Sequence, residues 1–279
     1  MSANTAPKPE LVALHIDAGI ATLSLQQAER RNSLNPSMAQ ALLQQLRTLS
    51  KQADQLNAVF LRAQGDHFMV GGDIQFFAHL LASQSQRSGL DQPLALEPLA
   101  ALIDTVAQVC ELLQALPCPV IAYTQGSVAG AGLSLALACD LIMASDDSRF
   151  IMAYSALGAT PDGGASWTLP QRVGQQRALH MYLLNQPLTA EQALQYGLIA
   201  ELVPRAQLEH HAQQLAQHLR QGSRQAQNAG KALLRHSPQT SLEQALEAEK
   251  QQFLALAQHA NFHEGVHAFL QKRPPTFKA

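Results

Sequence analysis

Residues 125–140 read QGSVAGAGLSLALACD, and the fold turns on how that stretch is understood. It follows a short β-type run, residues 119–123, and passes through Gly130-Ala131-Gly132 into apolar residues able to form a helix. The two glycines let the backbone approach another group closely, and Ala131 adds only a methyl. A helix starting here would aim free N–H groups and the positive end of its dipole at whatever fills that space. Such a place suits a carbonyl oxygen that gains negative charge during a reaction. The same small residues equally suit tight helix packing with no chemistry attached.

Upstream, residues 11–16 and 20–25 alternate as two strands around an Asp17-Ala18-Gly19 turn. Asn35 is placed to cap a helix with Pro36 in its first turn and Met38, Leu42, Leu46 and Leu49 on its buried stripe. Residues 57–62 read as the next strand. In HFMVGGDIQFF, residues 67–77, Gly71-Gly72 makes a second bare piece of backbone before a helix, with Asp73 near the first turn. Residues 83–98 are rich in Ser, Gln, Gly and Pro without a period, which predicts a mobile flap. A helical run over 99–116 leads back to the opening stretch, and residues 140–144 and 149–153 read as further strands.

Strands alternating with helices along the first two-thirds predict an α/β layer structure with parallel pairing. Beyond Leu188 the pattern turns helical. Thr189 caps the next helix, Gly197 ends it, and residues 198–203 form a last extended piece. Two apolar stripes follow, Leu208, Ala212, Leu215 and Leu219, then Leu242, Leu246, Phe253 and Leu256, for packing on the core or on other subunits.

With 279 residues, 47% hydrophobic and 14% charged, the chain can hold one large domain or a domain with an appendage. A net charge of -2 and a pI of about 6.6 give no sign of a nucleic-acid groove or a polybasic membrane surface. Cys110, Cys118 and Cys139 make neither a disulfide framework nor a metal knuckle, which fits a reducing cytoplasm. The start, MSANTAPKPELVALHID, lacks the features of a signal peptide. The longest apolar stretch, residues 133–144, is interrupted by Ser134 and Asp140 and is too short to span a bilayer. Histidines such as His67 and the His210-His211 pair lack metal-ligand spacing, so no metal site is expected.

Five segments in order, AERRNSLN (28–35), HFMVGGDI (67–74), QGSVAGAGLSLALACDL (125–141), ALGATPDGGASWTLPQRVG (156–174) and QPLTAEQALQYGLIAELV (186–203), resemble the crotonase family, the enoyl-CoA hydratase/isomerase superfamily. The ending EGVHAFLQKRPPTF fits the same pattern. The resemblance implies a core of repeated ββα spiral turns over residues 10–205 that binds an acyl-CoA thioester. Residues 206–279 would be a helical region for core packing and assembly as a homotrimer or dimer of trimers. It implies no cofactor, coenzyme A being part of the substrate. By motif position, the thioester oxygen would sit between the backbone N–H groups of Gly72 and Ala131, in keeping with the two glycine-rich turns.

The chain departs from the hydratase pattern. Hydratases of the family use two glutamates, and the matching positions here are Ser134 and Tyr154. A Ser or Tyr hydroxyl holds its proton too tightly to replace a carboxylate that activates water near neutral pH. An acid does stand at Asp162, in a PDGG setting similar to that of isomerases in the family, including dienoyl-CoA isomerases and the ring-1,2-epoxyphenylacetyl-CoA isomerase branch of phenylacetate degradation. A single carboxylate can move a double bond by taking a proton from one carbon and returning it to another. Asp162 also fits a purely structural role as a helix cap.

The expected activity is therefore acyl-CoA isomerisation, 3-enoyl to 2-enoyl or a related ring isomerisation. The alternatives are an enoyl-CoA hydratase or other crotonase-type lyase, and a non-catalytic acyl-CoA-binding protein. Substrate contacts are expected from Arg30 and Arg31 beside the CoA phosphates, from Gly72, Asp73, Ile74 and Gln75 along the pantetheine, and from Ala131, Ser134 and Tyr154 around the acyl group. Lys272 or Arg273 is a further candidate for a phosphate, and Asp73 fits a helix cap equally well.

Overall fold

The computed structural model describes residues 10–85, 96–237 and 240–278. Strands β1 (Val12–Asp17) and β2 (Ile20–Leu25) form a hairpin whose turn residues Ala18 and Gly19 both take positive φ, the twist a two-residue hairpin requires. Helix α1 (Pro36–Ser50) is capped as its sequence predicts, with Asn35 Oδ1 accepting the Met38 N–H at 3.0 Å. Its stripe of Met38, Leu42, Leu46 and Leu49 is buried.

Then come β3 (Ala58–Ala63), α2 (Ile74–Ser85), α3 (Glu97–Ala115), β4 (Val120–Thr124), β5 (Ser127–Ala129), α4 (Ala131–Ala138), β6 (Leu141–Ser145) and β7 (Arg149–Ile151). Residues 83–85 and 97–98, the ends of the expected flap, are helical, and its middle, 86–95, lies outside the described residues. Helices α5 (Ala165–Val173) and α6 (Gln175–Leu184), strand β8 (Leu188–Thr189), helix α7 (Ala190–Gln195) and strand β9 (Glu201–Val203) complete the mixed part. Thr189 and Gln192 form a full capping box on α7.

Six strands pair in the order β1-β2-β3-β4-β6-β9, parallel except for the β1–β2 hairpin, and β5, β7 and β8 make a second, smaller sheet. The large sheet is covered on both faces, which is why its inner strands read as continuous apolar runs rather than alternating ones. Ala58 and Phe60 on β3, with Ile121 and Tyr123 on β4, pack against Leu208, Ala212 and Ala216 of α8 (Leu208–Gln221). Val59, Leu61, Val120 and Ala122 point the other way, into the main core with α1, α3 and α4. All eight residues of α4 are buried, so this helix has no solvent face.

Helices α9 (Arg224–His236), α10 (Leu242–Ala257) and α11 (Ala260–Leu270) follow. From α9, Lys231 and Arg235 reach back to Asp140 at 2.7 and 2.6 Å. The same two cations donate to carbonyls at the C-terminal ends of α3 and α4, among them those of Leu116 and Ala138, where the helix dipole favours positive charge. The stripe on α10 stays exposed on the protomer, with Leu242 75% and Phe253 62% accessible. An apolar cavity of about 540 Å³, lined in part by Phe253, Phe262, Phe269 and Phe277, opens beside it. Among the described residues no helix is long and apolar enough to cross a membrane.

Candidate active site

The two glycine-rich turns meet. A short parallel pairing sets Met69 against Val128, with the Ala129 N–H on the Met69 carbonyl at 3.0 Å and the Met69 N–H on the Ser127 carbonyl at 3.2 Å. Beyond it the backbones converge so closely that a Cβ on Gly71 would stand 3.2 Å from the Ala129 oxygen and 3.7 Å from the Gly130 Cα. Gly130 takes φ 50°, ψ -122°, a conformation that side chains disfavour, and caps α4.

Hydrogen bonding then frees the two amides of interest. Gly72 is bridged to Leu34, whose N–H donates to the Gly71 oxygen at 2.7 Å and whose carbonyl accepts from Asp73 at 2.8 Å. In such a parallel bridge the central residue's own N–H faces away from its partner. Ala131 is the first residue of α4, where an intrahelical acceptor is lacking by construction. Among the described residues neither amide has an acceptor. The turns sequence reasoning singled out thus present two free donors from adjoining backbones, one at a helix N-terminus.

Loop 28–35 braces the first donor. Asn32, fully buried at φ 54°, accepts the Gln27 N–H at 2.9 Å and donates to the carbonyls of Gln64 and His67 at 3.0 and 2.9 Å. That ties the loop to the β3 end and sets Leu34 opposite Gly72. Sequence reasoning passed over Asn32; an asparagine is the side chain most at ease with positive φ, and that was the available signal. His67 accepts the Ser127 N–H on Nδ1 at 3.1 Å and so ties its loop to the start of β5.

The expected CoA contacts are differently engaged. Asp73 is buried and caps α2, its Oδ1 accepting the Gln75 N–H at 3.0 Å. Arg30 pairs with Asp73 at 3.1 Å and donates to Gln75 Oε1 at 2.7 Å, so its guanidinium closes the loop onto α2. Arg31 and Ile74 are exposed, Ile74 by 56%. Arg273 donates two hydrogen bonds to the Glu264 carboxylate of α11, at 2.6 and 3.0 Å, while Lys272 is exposed.

Asp162 is held from α4, the helix that begins with the second donor. The Ser134 hydroxyl, three residues along α4 from Ala131, is 3.0 Å from the Asp162 carbonyl and 2.8 Å from the Tyr154 hydroxyl. Tyr154 in turn donates to Asp162 Oδ1 at 2.6 Å. Three residues of helix advance about 4.5 Å. The carboxylate does not cap α5: the cap position belongs to Gly164, and no side chain bonds there. Burial raises the Asp162 carboxyl above its ordinary range, partly offset by the Tyr154 hydrogen bond.

Tyr154 is mostly buried, and burial pushes its phenol upward, so it remains protonated and a donor. Behind Gly163 lies Cys110, its thiol held neutral at about 12, first by burial and then by the charge of Asp162. Chemically, a pair of unpartnered amides is suited to an oxygen that gains negative charge, and a carboxyl of raised pKa to accepting a proton.

The chain matches the family model described as enoyl-CoA hydratase/isomerase over residues 15–279. It is 36% identical to a 2,3-dehydroadipyl-CoA hydratase of Escherichia coli, across 92% of this chain and 94% of that one. It is 32% identical to the 1,2-epoxyphenylacetyl-CoA isomerase of the same organism, across 96% and 98%. The crystal structure of an enoyl-CoA hydratase from Polaromonas superposes with a TM-score of 0.84 at 28% identity, covering 96% of this chain and 99% of the other. The architecture is the crotonase fold.

Proposed function

This chain belongs to the enoyl-CoA hydratase/isomerase family, and we propose that within it the protein is an isomerase that converts 3-enoyl-CoA to 2-enoyl-CoA, or carries out a related ring isomerisation. The observation that carries this reading is the Ser134–Tyr154–Asp162 cluster. Two hydroxyls stand where hydratases of the family carry glutamates, and both are hydrogen-bonded to Asp162, a carboxylate that, among the described residues, neither caps a helix nor pairs with a cation.

In this reading the thioester oxygen accepts from the Gly72 and Ala131 amides. Asp162 removes a proton from C2; the electron pair of that C–H bond enters the C1–C2 bond, and charge collects on the oxygen. When the proton returns to C4, the C3–C4 π pair forms the new C–H bond, the C1–C2 π pair moves to C2–C3, and an oxygen pair restores the carbonyl. Atoms and charge balance with no other reactant. Each amide donor contributes about 3 kcal/mol to the barrier reduction. Exposed Arg31 offers a charged donor to CoA phosphate, and exposed Ile74 an apolar wall to the pantetheine. The apolar surface of α10 and α11, with Phe269 84% accessible, suits burial between copies in a homotrimer or dimer of trimers, which light scattering tests directly.

The activity test gives the purified protein 3-enoyl-CoA in one reaction and 2-enoyl-CoA in another. The expected result is a conjugated thioester from the first and no accumulation of 3-hydroxyacyl-CoA from the second. Hydration that outpaces isomerisation would overturn the assignment.

A further inference from the structure

We infer that Tyr154, steadied by Ser134, is a positioning residue that reserves Oδ1 of Asp162 and leaves Oδ2 as the single atom that exchanges a proton with substrate. The inference rests on the isomerase reading above and goes a step beyond it, to how one carboxyl serves both halves of the transfer.

At 2.6 Å the Tyr154–Oδ1 contact is in the range of a charge-assisted O–H···O⁻ bond. Ser134 touches both the phenol oxygen and the Asp162 carbonyl, so the side chain and the backbone of the acid are fixed from one point on α4. Among the described residues no other side chain donates to the Asp162 carboxyl; the one further donor acting on it is its own backbone N–H. Tyr154 is itself held by the chain before it. Ala153 sits in the left-handed region at φ 62°, its N–H donated at 2.7 Å to Asn185 Oδ1 at the end of α6, and Ser155 is tied to the Tyr182 carbonyl at 2.7 Å. Strain in a non-glycine residue persists only where its surroundings enforce it, and here it directs the phenol.

The consequence is directional. A phenol keeps its proton through the cycle, so it donates to Oδ1 whether the carboxyl is ionised or neutral, and the transferred proton rides on Oδ2. Such a bond is stronger to the ionised form and opposes the burial that favours the neutral one. Besides Tyr154, the titratable group nearest the acid is the Cys110 thiol on α3, on which Glu111 also acts. Loss of the phenol hydroxyl therefore removes the larger of the two hydrogen bonds that oppose burial and moves the acid upward.

The test measures kcat and KM against pH, with 3-enoyl-CoA, for the wild type, Tyr154→Phe, Ser134→Ala and Asp162→Asn. Tyr154→Phe is expected to lower kcat roughly tenfold, the worth of one hydrogen bond to a charged group, with KM nearly unchanged. Its acidic limb is expected to move to higher pH, and Ser134→Ala to move it the same way by less. If Tyr154→Phe fails to fold, Ser134→Ala decides by the same limb. An unmoved limb at wild-type kcat overturns the inference. Full activity in Asp162→Asn would instead overturn the isomerase reading beneath it, so the two failures are distinct.

Discussion

Tyr154 donates its phenolic proton to Oδ1 of Asp162 across 2.6 Å, joining a residue of the turn after β7 to one just before α5. The bond sets this carboxylate apart from a helix cap. A carboxylate capping α5 would point at the free N–H groups of that helix, whereas this one accepts from the Tyr154 hydroxyl, and Ser134 of α4 bonds the carbonyl of the same residue. Geometry alone draws that distinction, since the PDGG sequence is compatible with a cap as well.

The raised carboxyl predicts the acidic limb of kcat/KM. Asp162 must be ionised to take a proton, so activity falls as pH drops through its pKa in the free enzyme. Since burial raises that pKa, the limb is expected above the usual aspartate value of about 3.9. A pH-rate profile checks this, and the limb should vanish in any residual activity of Asp162→Asn.

The same shift predicts a stability trade. An acid whose folded pKa is raised binds its proton more tightly in the folded state than in the unfolded chain. Its contribution to stability is full below the unfolded pKa and is lost as pH rises through the folded one. Asp162→Asn is therefore expected to melt higher than wild type at neutral pH, with the difference shrinking on acidification. Paired thermal melts across that window measure it.

Ala131→Pro removes one oxyanion donor by removing its N–H. Proline is tolerated at the first position of a helix, which Ala131 occupies in α4. The expected outcome is a loss of about 10²–10³-fold in kcat with acyl-CoA binding retained. Titration of a non-reactive acyl-CoA beside the kinetics checks both halves.

Two structural braces carry separate costs. Asn32→Ala removes the partner of the Gln27 N–H and of the Gln64 and His67 carbonyls and is expected to cost about 2 kcal/mol. Asp140→Ala leaves the nearly buried Lys231 without its carboxylate and is expected to cost about 3 kcal/mol, loosening α9 from the core. Urea midpoints at unchanged slope measure both.

What the sequence disclosed was the part written in short-range chemistry. The Asn35 cap, the Thr189 capping box and the two glycine turns are local, and the structure has them where the residues predict. The alternation of strands and helices announced a layered sheet with parallel pairing, although β5 and β8, of three and two residues, are too short for any period to show. The side-chain engagements of the site are long-range. Arg30 meets Asp73 across a loop, and the phenol of Tyr154 is aimed by Asn185 from a different helix. A turn residue in the left-handed region, such as Ala153, carries no mark in its letter.

The account stands most directly on the rate at which 3-enoyl-CoA becomes 2-enoyl-CoA in wild type and in Asp162→Asn, measured with protein shown to bind acyl-CoA equally. General acid–base catalysis by one residue is worth about 10²–10⁴-fold, and a loss of that size with unchanged binding is the predicted result. Equal rates for the two proteins would contradict it.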